Sequence, residues 1–190
     1  MPQAPRPARS RTALVEATIK ALNTPEPASL NITDLVKAAG VSRPTFYQYF
    51  SDINTLIHTA ALEKLDTALN SLPEADPTDP STLITSAAST SLLTALQADA
   101  VFFRNVLDTS GNSSLVEELV TFLTHRLLLR GSATEQPKTT NRPLTSDYAQ
   151  FIAAGAAWLT VRWLRTDFTG PNTAQAMGQR LSTMIQAATS

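Results

Sequence analysis

At 190 residues, with 43% hydrophobic and 16% charged residues, the chain can bury a core and is too apolar to be disordered or fibrous. It has a net charge of -1 and no cysteine, which excludes disulfides and cysteine-based metal sites. No apolar run reaches the roughly 20 residues that span a bilayer, and the N-terminal MPQAPRPARSR lacks the apolar centre of a secretory signal. We therefore expect a cytoplasmic protein with no membrane segment, no metal and no cofactor.

Charge is distributed unevenly along the chain. Residues 1–50 contain six cations against three anions, so this part carries +3 and the remainder carries -4. The six cations are Arg6, Arg9, Arg11, Lys20, Lys37 and Arg43. A positive segment joined to an acidic body is typical of a polyanion-binding module, and the alternative is a basic, solvated segment that binds nothing.

Apolar periodicity and breaker residues predict an all-α fold, because no stretch alternates as a strand would. The predicted helices run from Ser10 to Asn23, Asn31 to Gly40, Ser42 to Phe50, Asp52 to Leu72, Leu83 to Leu96, Val101 to Leu107, Leu115 to Leu129, Ser146 to Thr166 and Asn172 to Ala188. The proline-containing segments PEADPTDPST and GSATEQPKTTNRPLT predict two longer loops.

The second and third predicted helices are short and meet through a tight turn. Asn31 and Ser42 are good N-caps for the two helices, and Gly40 is a good C-cap for the first of them. In the third helix, Phe46 and Phe50 fall on one face at 100° per residue, so we expect both rings to be buried. The outward side then carries polar, nearly uncharged residues: Pro44, Thr45 and Gln48, flanked by Tyr47 and Tyr49.

Such a face on a short helix, introduced by a helix and a glycine turn, is typical of the recognition helix of a helix-turn-helix. Arg43 at the start of the helix could meet phosphates or guanine. The alternative interpretation is an aromatic core helix with a cap, which would leave the outward tyrosines and the charge asymmetry unexplained.

The run LNITDLVKAAGVSRPTFYQYFSDINTLI resembles the DNA-binding head of the tetracycline-repressor (TetR) family. The similarity extends upstream through Arg11, Leu14, Ala17 and Leu22, so it covers about the first 60 residues. The resemblance implies a three-helix head in residues 1–52, with a disordered tail at 1–9, and a helical ligand-binding and dimerisation body in residues 53–190. The body is similar only in its layout of helices.

The resemblance also implies roles for individual residues. Bases or the sugar-phosphate backbone would be approached by Arg43, Pro44 and Thr45. Phosphates would be bound by Tyr47 and Tyr49, and Gln48 would read a variable base position. The DNA-binding set is completed by Asn31, Thr33 and Ser42. Two positions depart from the family pattern. Ile53 stands where the family usually has a lysine that reaches phosphate, and Asn31 replaces a usual threonine.

Two helices near the end of the chain carry the features of a dimer interface. The stretch FIAAGAAWLTV is apolar nearly all round, with small residues that allow another helix to come close. The final helix carries an apolar stripe. The predicted contact residues are Phe151, Gly155, Leu159, Met177, Leu181 and Met184. Packing within one chain is the alternative.

Apolar and aromatic residues of the central helices are candidates for lining a ligand cavity: Phe102, Phe103, Val106, Phe122, His125, Tyr148 and Trp158. Ordinary core packing is the alternative for all of them.

The leading functional hypothesis is a homodimeric repressor that leaves a palindromic operator when it binds a small apolar ligand. The alternative is a dimeric DNA-binding factor that has no ligand and responds to a protein partner. We do not expect an enzyme, because the two histidines, His58 and His125, are far apart and no motif suggests a catalytic site.

Overall fold

The computed structural model describes residues 6–25, 27, 29–72, 85–109, 112–132 and 146–189. Every regular element in these ranges is helical, which confirms the all-α prediction. The helices are α1 (Arg6–Leu22), α2 (Ile32–Ala39), α3 (Arg43–Tyr49), α4 (Ile53–Asn70), α5 (Ser86–Ala98), α6 (Ala100–Thr109), α7 (Asn112–Ser132), α8 (Ser146–Leu164) and α9 (Ala174–Thr189). None of these described helices combines the length and apolar character needed to cross a membrane.

The ends of several helices differ from the prediction by two to four residues; α7, for example, extends three residues further at each end. Helix α1 begins at Arg6, so residues 6–9 are helical rather than part of a disordered tail. Pro7 fits there because first-turn amides have no helical acceptor. Helix α9 begins two residues late, after a 3-10 turn at Gly170–Asn172, and the Thr173 hydroxyl accepts the backbone N–H of Ala176 at 3.2 Å. The predicted tail residues 1–5, the predicted loop 73–82 and residues 133–145 of the predicted loop 131–145 lie outside the described residues, whereas Gly131 and Ser132 belong to α7.

The chain divides into two compact units. The first contains Met1–Leu65 and Asp99–Asn112, and the second contains Asp66–Ala98 and Ser113–Ser190. The structure therefore groups α6 and most of α4 with the first three helices, whereas the predicted boundary lay after residue 52.

The first unit is built around α1, which packs against α2, α3 and α6. Each helix of this unit contributes at least one large apolar side chain to the core, which includes Leu14, Leu22, Leu35, Phe46, Leu56, Ile57, Phe102 and Val106. Because the ring of Phe102 and the side chain of Val106 come from α6, the core of the unit depends on residues far along the chain from the first three helices.

Two ion pairs link α4 to its neighbours in the first unit. Arg11 Nη1 lies 2.6 Å from Glu63 Oε1, and Lys64 Nζ lies 2.6 Å from Asp99 Oδ2. The Lys64 ammonium also lies 5.4 Å from the ring centroid of Phe102, within the range of a cation–π contact. These partly exposed pairs fix the position of α4 more than they add to stability.

Asn105 of α6 closes the C-terminal end of α1. Its side-chain amide donates to the carbonyl of Leu22 at 2.8 Å and to the carbonyl of Thr24 at 2.7 Å. Carbonyls at the end of a helix have no partner within the helix. Asn105 therefore supplies hydrogen-bond donors to carbonyls that find none in the neighbouring sequence.

The second unit is built around α9, which packs along α5 and also contacts α8. At Gly178 of α9, an added Cβ would lie 2.8 Å from the backbone nitrogen of Thr90 and 2.9 Å from its Cα. Only glycine allows this approach, which buries Leu93 of α5 and Met177 of α9. In the same unit, Arg126 of α7 pairs with Asp66 at 2.7 Å.

Asp52 caps the N-terminus of α4. The backbone N–H of Thr55 donates to Asp52 Oδ1 at 2.8 Å, and the hydroxyl of Ser51 donates to Oδ2 at 3.1 Å. The bond from the Thr55 backbone is the main reason that the pKa of Asp52 lies below its ordinary value. Burial opposes this shift, and the hydroxyls of Thr55 and Ser51 lower the pKa further.

Phe46→Ala is expected to destabilise the first unit by about 3 to 5 kcal/mol, because the ring is fully buried and its removal leaves a cavity. Urea denaturation followed by far-UV circular dichroism measures the loss. Trp158 and Trp163 both lie in the second unit, so fluorescence reports that unit separately. The control is exposed Gln48→Ala, expected to stay within about 0.5 kcal/mol of the parent. Equal stability of Phe46→Ala and the control would show that the ring is not a core residue.

The Asp52 cap is expected to make stability depend on acid pH. Its pKa is lower in the folded chain than in the unfolded one, so its contribution is complete above the unfolded pKa and is lost as pH falls through the folded pKa. Asp52→Asn keeps a good cap but does not titrate. The stability advantage of the parent over this variant should shrink between pH 6 and pH 3 in denaturant titrations, and an advantage that grows towards acid pH would contradict the assignment.

Candidate nucleic-acid interface

The turn between α2 and α3 is set by local capping. Asn31 Oδ1 accepts the backbone N–H of Asp34 at 2.9 Å and so starts α2 as predicted. Gly40 ends the helix with φ 65°, a left-handed conformation that glycine adopts without strain. The backbone N–H of Gly40 donates to the carbonyl of Lys37 at 3.2 Å, and that of Val41 donates to the carbonyl of Val36 at 2.9 Å. These two hydrogen bonds form a Schellman motif.

Helix α3 starts only two residues after this turn. Ser42 Oγ accepts the backbone N–H of Thr45 at 3.2 Å, and the hydroxyls of Ser42 and Thr45 are hydrogen-bonded to each other at 2.8 Å. Pro44 occupies the first turn, where it removes no helical hydrogen bond. The hydroxyls of Ser42 and Thr45 are therefore already partly engaged in starting the helix.

The aromatic residues of α3 divide between the core and the surface as predicted. Phe46 is fully buried and Phe50 is 3% exposed, and their ring centroids lie 5.9 Å apart. The ring of Tyr47 is 57% exposed and meets Phe46 edge to face at a centroid distance of 5.2 Å. The buried ring of Phe46 thus supports the exposed ring of Tyr47.

The nine residues predicted to bind DNA all lie at the start of α2 or along α3. Seven of them are exposed, namely Asn31, Thr33, Ser42, Arg43, Pro44, Tyr47 and Gln48, while Thr45 and Tyr49 are half-buried. Arg43 is the one cation of α3. Its Nη2 donates to the hydroxyl of Thr33 at 3.0 Å, which joins the two helices at their first turns. Hydroxyls, an amide and one guanidinium on the exposed side of α3 can bond base edges and phosphates.

The predicted ligand-lining residues fall into both compact units. Phe102, Phe103 and Val106 are buried in the core of the first unit. The others belong to the second unit, in which Phe122 and Tyr148 are half-buried and His125 and Trp158 are exposed. Buried positions on α6 are explained by packing, and a ligand cavity lined by these residues stays a prediction.

The predicted dimer residues differ in exposure. Met177 and Leu181 are buried within the chain, because the stripe of α9 packs along α5, and they leave no surface for a second copy. Phe151 and Met184 are 70% and 46% exposed, Gly155 is exposed, and Leu159 is half-buried.

Trp158 was missed as a surface residue. It is 57% exposed and lies seven residues after Phe151 on α8, which places both side chains on the same face of the helix. The spacing of seven was visible in the sequence, but only the structure shows that both side chains stay more than half exposed in the described part of the chain.

Comparison with known proteins identifies the first unit. Residues 12–60 match the family described as bacterial regulatory proteins, tetR family. No curated protein matches the sequence. The crystal structure of a TetR transcriptional regulator from Streptococcus agalactiae has the same fold, with a TM-score of 0.59 over 95% of each chain at 14% identity. The segment with the capped helix-turn-helix, residues 12–60, is thus similar to the tetR family of bacterial regulatory proteins, and the chain shares its fold with a TetR transcriptional regulator.

Proposed function

We propose that the protein is a homodimeric repressor that holds a palindromic operator with two copies of α3 and leaves it when a small apolar ligand binds. The observation that carries this proposal is the exposed, nearly uncharged polar face of α3, supported from below by the buried ring of Phe46. A face of this kind suits the major groove, where donors and acceptors on the base edges are read.

Tyr47 is proposed to contact a phosphate. Its ring is held edge to face by Phe46, so the exposed phenol loses little freedom when its hydroxyl donates to an oxygen of the DNA backbone. Tyr49 is half-buried and is proposed to do the same from the other edge of the helix. Gln48, exposed between them, is proposed to read a base.

The dimer is proposed to form through α8. Phe151, Gly155 and Trp158 follow one another at spacings of four and three, so they share one face of the helix. Both aromatic side chains are more than half exposed, and an added Cβ at Gly155 would meet nothing within 4 Å in the described part of the chain. Large apolar side chains grouped on a surface are typical of an interaction site, and a symmetric pair would cover them.

Release by a ligand is proposed to act through α6. This helix shares the core of the first unit and bonds the end of α1 through Asn105, whereas α5 before it and most of α7 after it belong to the second unit. A ligand that moved either end of α6 would therefore change the support of the DNA-binding helices.

Selection from a pool of random DNA duplexes tests the function and supplies the operator. The full chain is expected to enrich an inverted repeat whose half-sites lie about 34 to 36 Å apart, or a multiple of that distance. Failure to enrich any sequence would contradict DNA recognition by this chain. A rise in melting temperature on addition of a hydrophobic compound that also weakens operator binding would support release by a small ligand. A protein partner that releases the DNA in the absence of any such compound would contradict it.

Tyr47→Phe is expected to weaken operator binding about tenfold, because one hydrogen bond to a charged phosphate is lost while the ring and its packing remain. A gel-shift titration at fixed salt measures the change. The control is Ser91→Ala, which removes an exposed hydroxyl from the second unit and should bind as the parent does. Unchanged affinity of Tyr47→Phe would show that the hydroxyl does not reach the DNA.

Gly155→Leu is expected to break the dimer and to lower operator affinity, because the added side chain has room in the single chain but would separate two closely packed copies of α8. Sedimentation velocity and titrations on the palindrome and on its half-site measure both effects. Ser91→Leu, which adds the same side chain at an exposed site on α5, is the control. A monomeric parent that binds the half-site as tightly as the palindrome would contradict the dimer.

A further inference from the structure

We propose that Arg43 reads a guanine in each operator half-site and that Thr33 is the residue that positions its guanidinium; this rests on the proposed operator binding. Thr33 is thus a determinant of sequence specificity, in addition to any contact that it makes with the DNA backbone. The proposal starts from the bond that joins the two side chains, in which Arg43 Nη2 donates to Thr33 Oγ1 at 3.0 Å.

The position of Arg43 suits a base contact. It is the first residue of α3, it is exposed, and it is the one cation of that helix. Residues at the N-terminal end of a recognition helix are the ones that contact base edges. The hydroxyls of Ser42 and Thr45 near it are hydrogen-bonded to each other in the cap, so Arg43 supplies the longest donor side chain at this end of the helix.

The bond to Thr33 leaves the guanidinium able to make a paired contact. A guanidinium has five N–H donors in one plane, and the bond to Thr33 uses one of them. Two adjacent N–H groups remain available to meet O6 and N7 of guanine, the paired acceptors that arginine recognises most often. Adenine offers N7 beside an amino donor, so the same pair of N–H groups would be mismatched.

Thr33 can connect this base contact to the DNA backbone. Its hydroxyl accepts from Arg43 and keeps its own hydrogen, which can be donated to a phosphate oxygen. Thr33 lies in the first turn of α2, and Arg43 lies in the first turn of α3, so one hydroxyl links the two helices of the motif. A long arginine side chain held in this way loses less conformational freedom when it binds.

The test uses the full chain and the operator selected from random duplexes. In that operator, each base pair of the half-site is replaced in turn, and the ratio of affinities for the parent and replaced sequences is measured for every variant. The parent is expected to show a strong preference for one G·C pair in each half-site. Arg43→Ala should reduce that preference about tenfold and leave the preferences at the other base pairs unchanged.

Substitutions of Thr33 separate positioning from folding. Thr33→Val keeps the branched shape but removes the hydroxyl, and it should reduce the preference for the same G·C pair about threefold to tenfold. Thr33→Ser keeps the hydroxyl and should restore the preference. Lys20→Ala, which removes an exposed cation from α1, is the control for charge and should leave every base preference as it is in the parent. Thermal melting checks that all the variants are folded.

The outcomes distinguish this proposal from the proposed function. A parent that enriches no sequence contradicts operator recognition, and the proposal for Arg43 with it. A parent that selects an operator, combined with an Arg43→Ala variant that loses affinity equally on every sequence and has a salt slope shallower by about 0.9, makes Arg43 a phosphate contact and overturns only the present proposal. Unchanged base preference in Thr33→Val overturns the role of Thr33.

Discussion

Burial of the Phe46 ring holds the recognition helix in place, and the rest of the interface depends on it. Helix α3 has only seven residues, and isolated helices of that length are not stable in water. The fully buried ring, with Phe50 beside it, ties the helix to the core of the first unit. Because residues turn by 100° along a helix, fixing the direction of Phe46 also fixes the directions of Tyr47 and Gln48. One apolar contact therefore decides which polar groups face outward.

The DNA-binding head is not complete without α6. Phe102 and Val106 belong to the same core as Phe46, and the amide of Asn105 supplies partners to the carbonyls at the end of α1. The pair between Lys64 and Asp99 adds a polar link from α4. Helix α6 thus completes the core of the first unit, although its neighbours in sequence belong to the other unit.

Two helices near the end of the chain are apolar, but they differ in what covers them. Gly178 lets α9 approach the backbone of α5 so closely that Met177 becomes part of the core. The face of α8 that carries Phe151 and Trp158 remains exposed. Apolar periodicity is the same in both helices, because it indicates that a face will be buried but does not indicate which surface will cover it. The proposed dimer can therefore use the exposed face of α8 but not the buried stripe of α9.

The sequence by itself determined the features that depend on neighbouring residues. Local hydrogen bonding explains the caps at Asn31 and Ser42 and the left-handed glycine at Gly40, and helical periodicity explains the inward direction of Phe46. The resemblance in the first 60 residues could also be seen in the sequence. Only the tertiary structure decided the contacts between residues that are distant in sequence. Asn105 meets the end of α1 from 83 residues away, and Arg43 meets Thr33 across a turn. These contacts depend on how helices are placed against one another, and no local propensity or period encodes that placement.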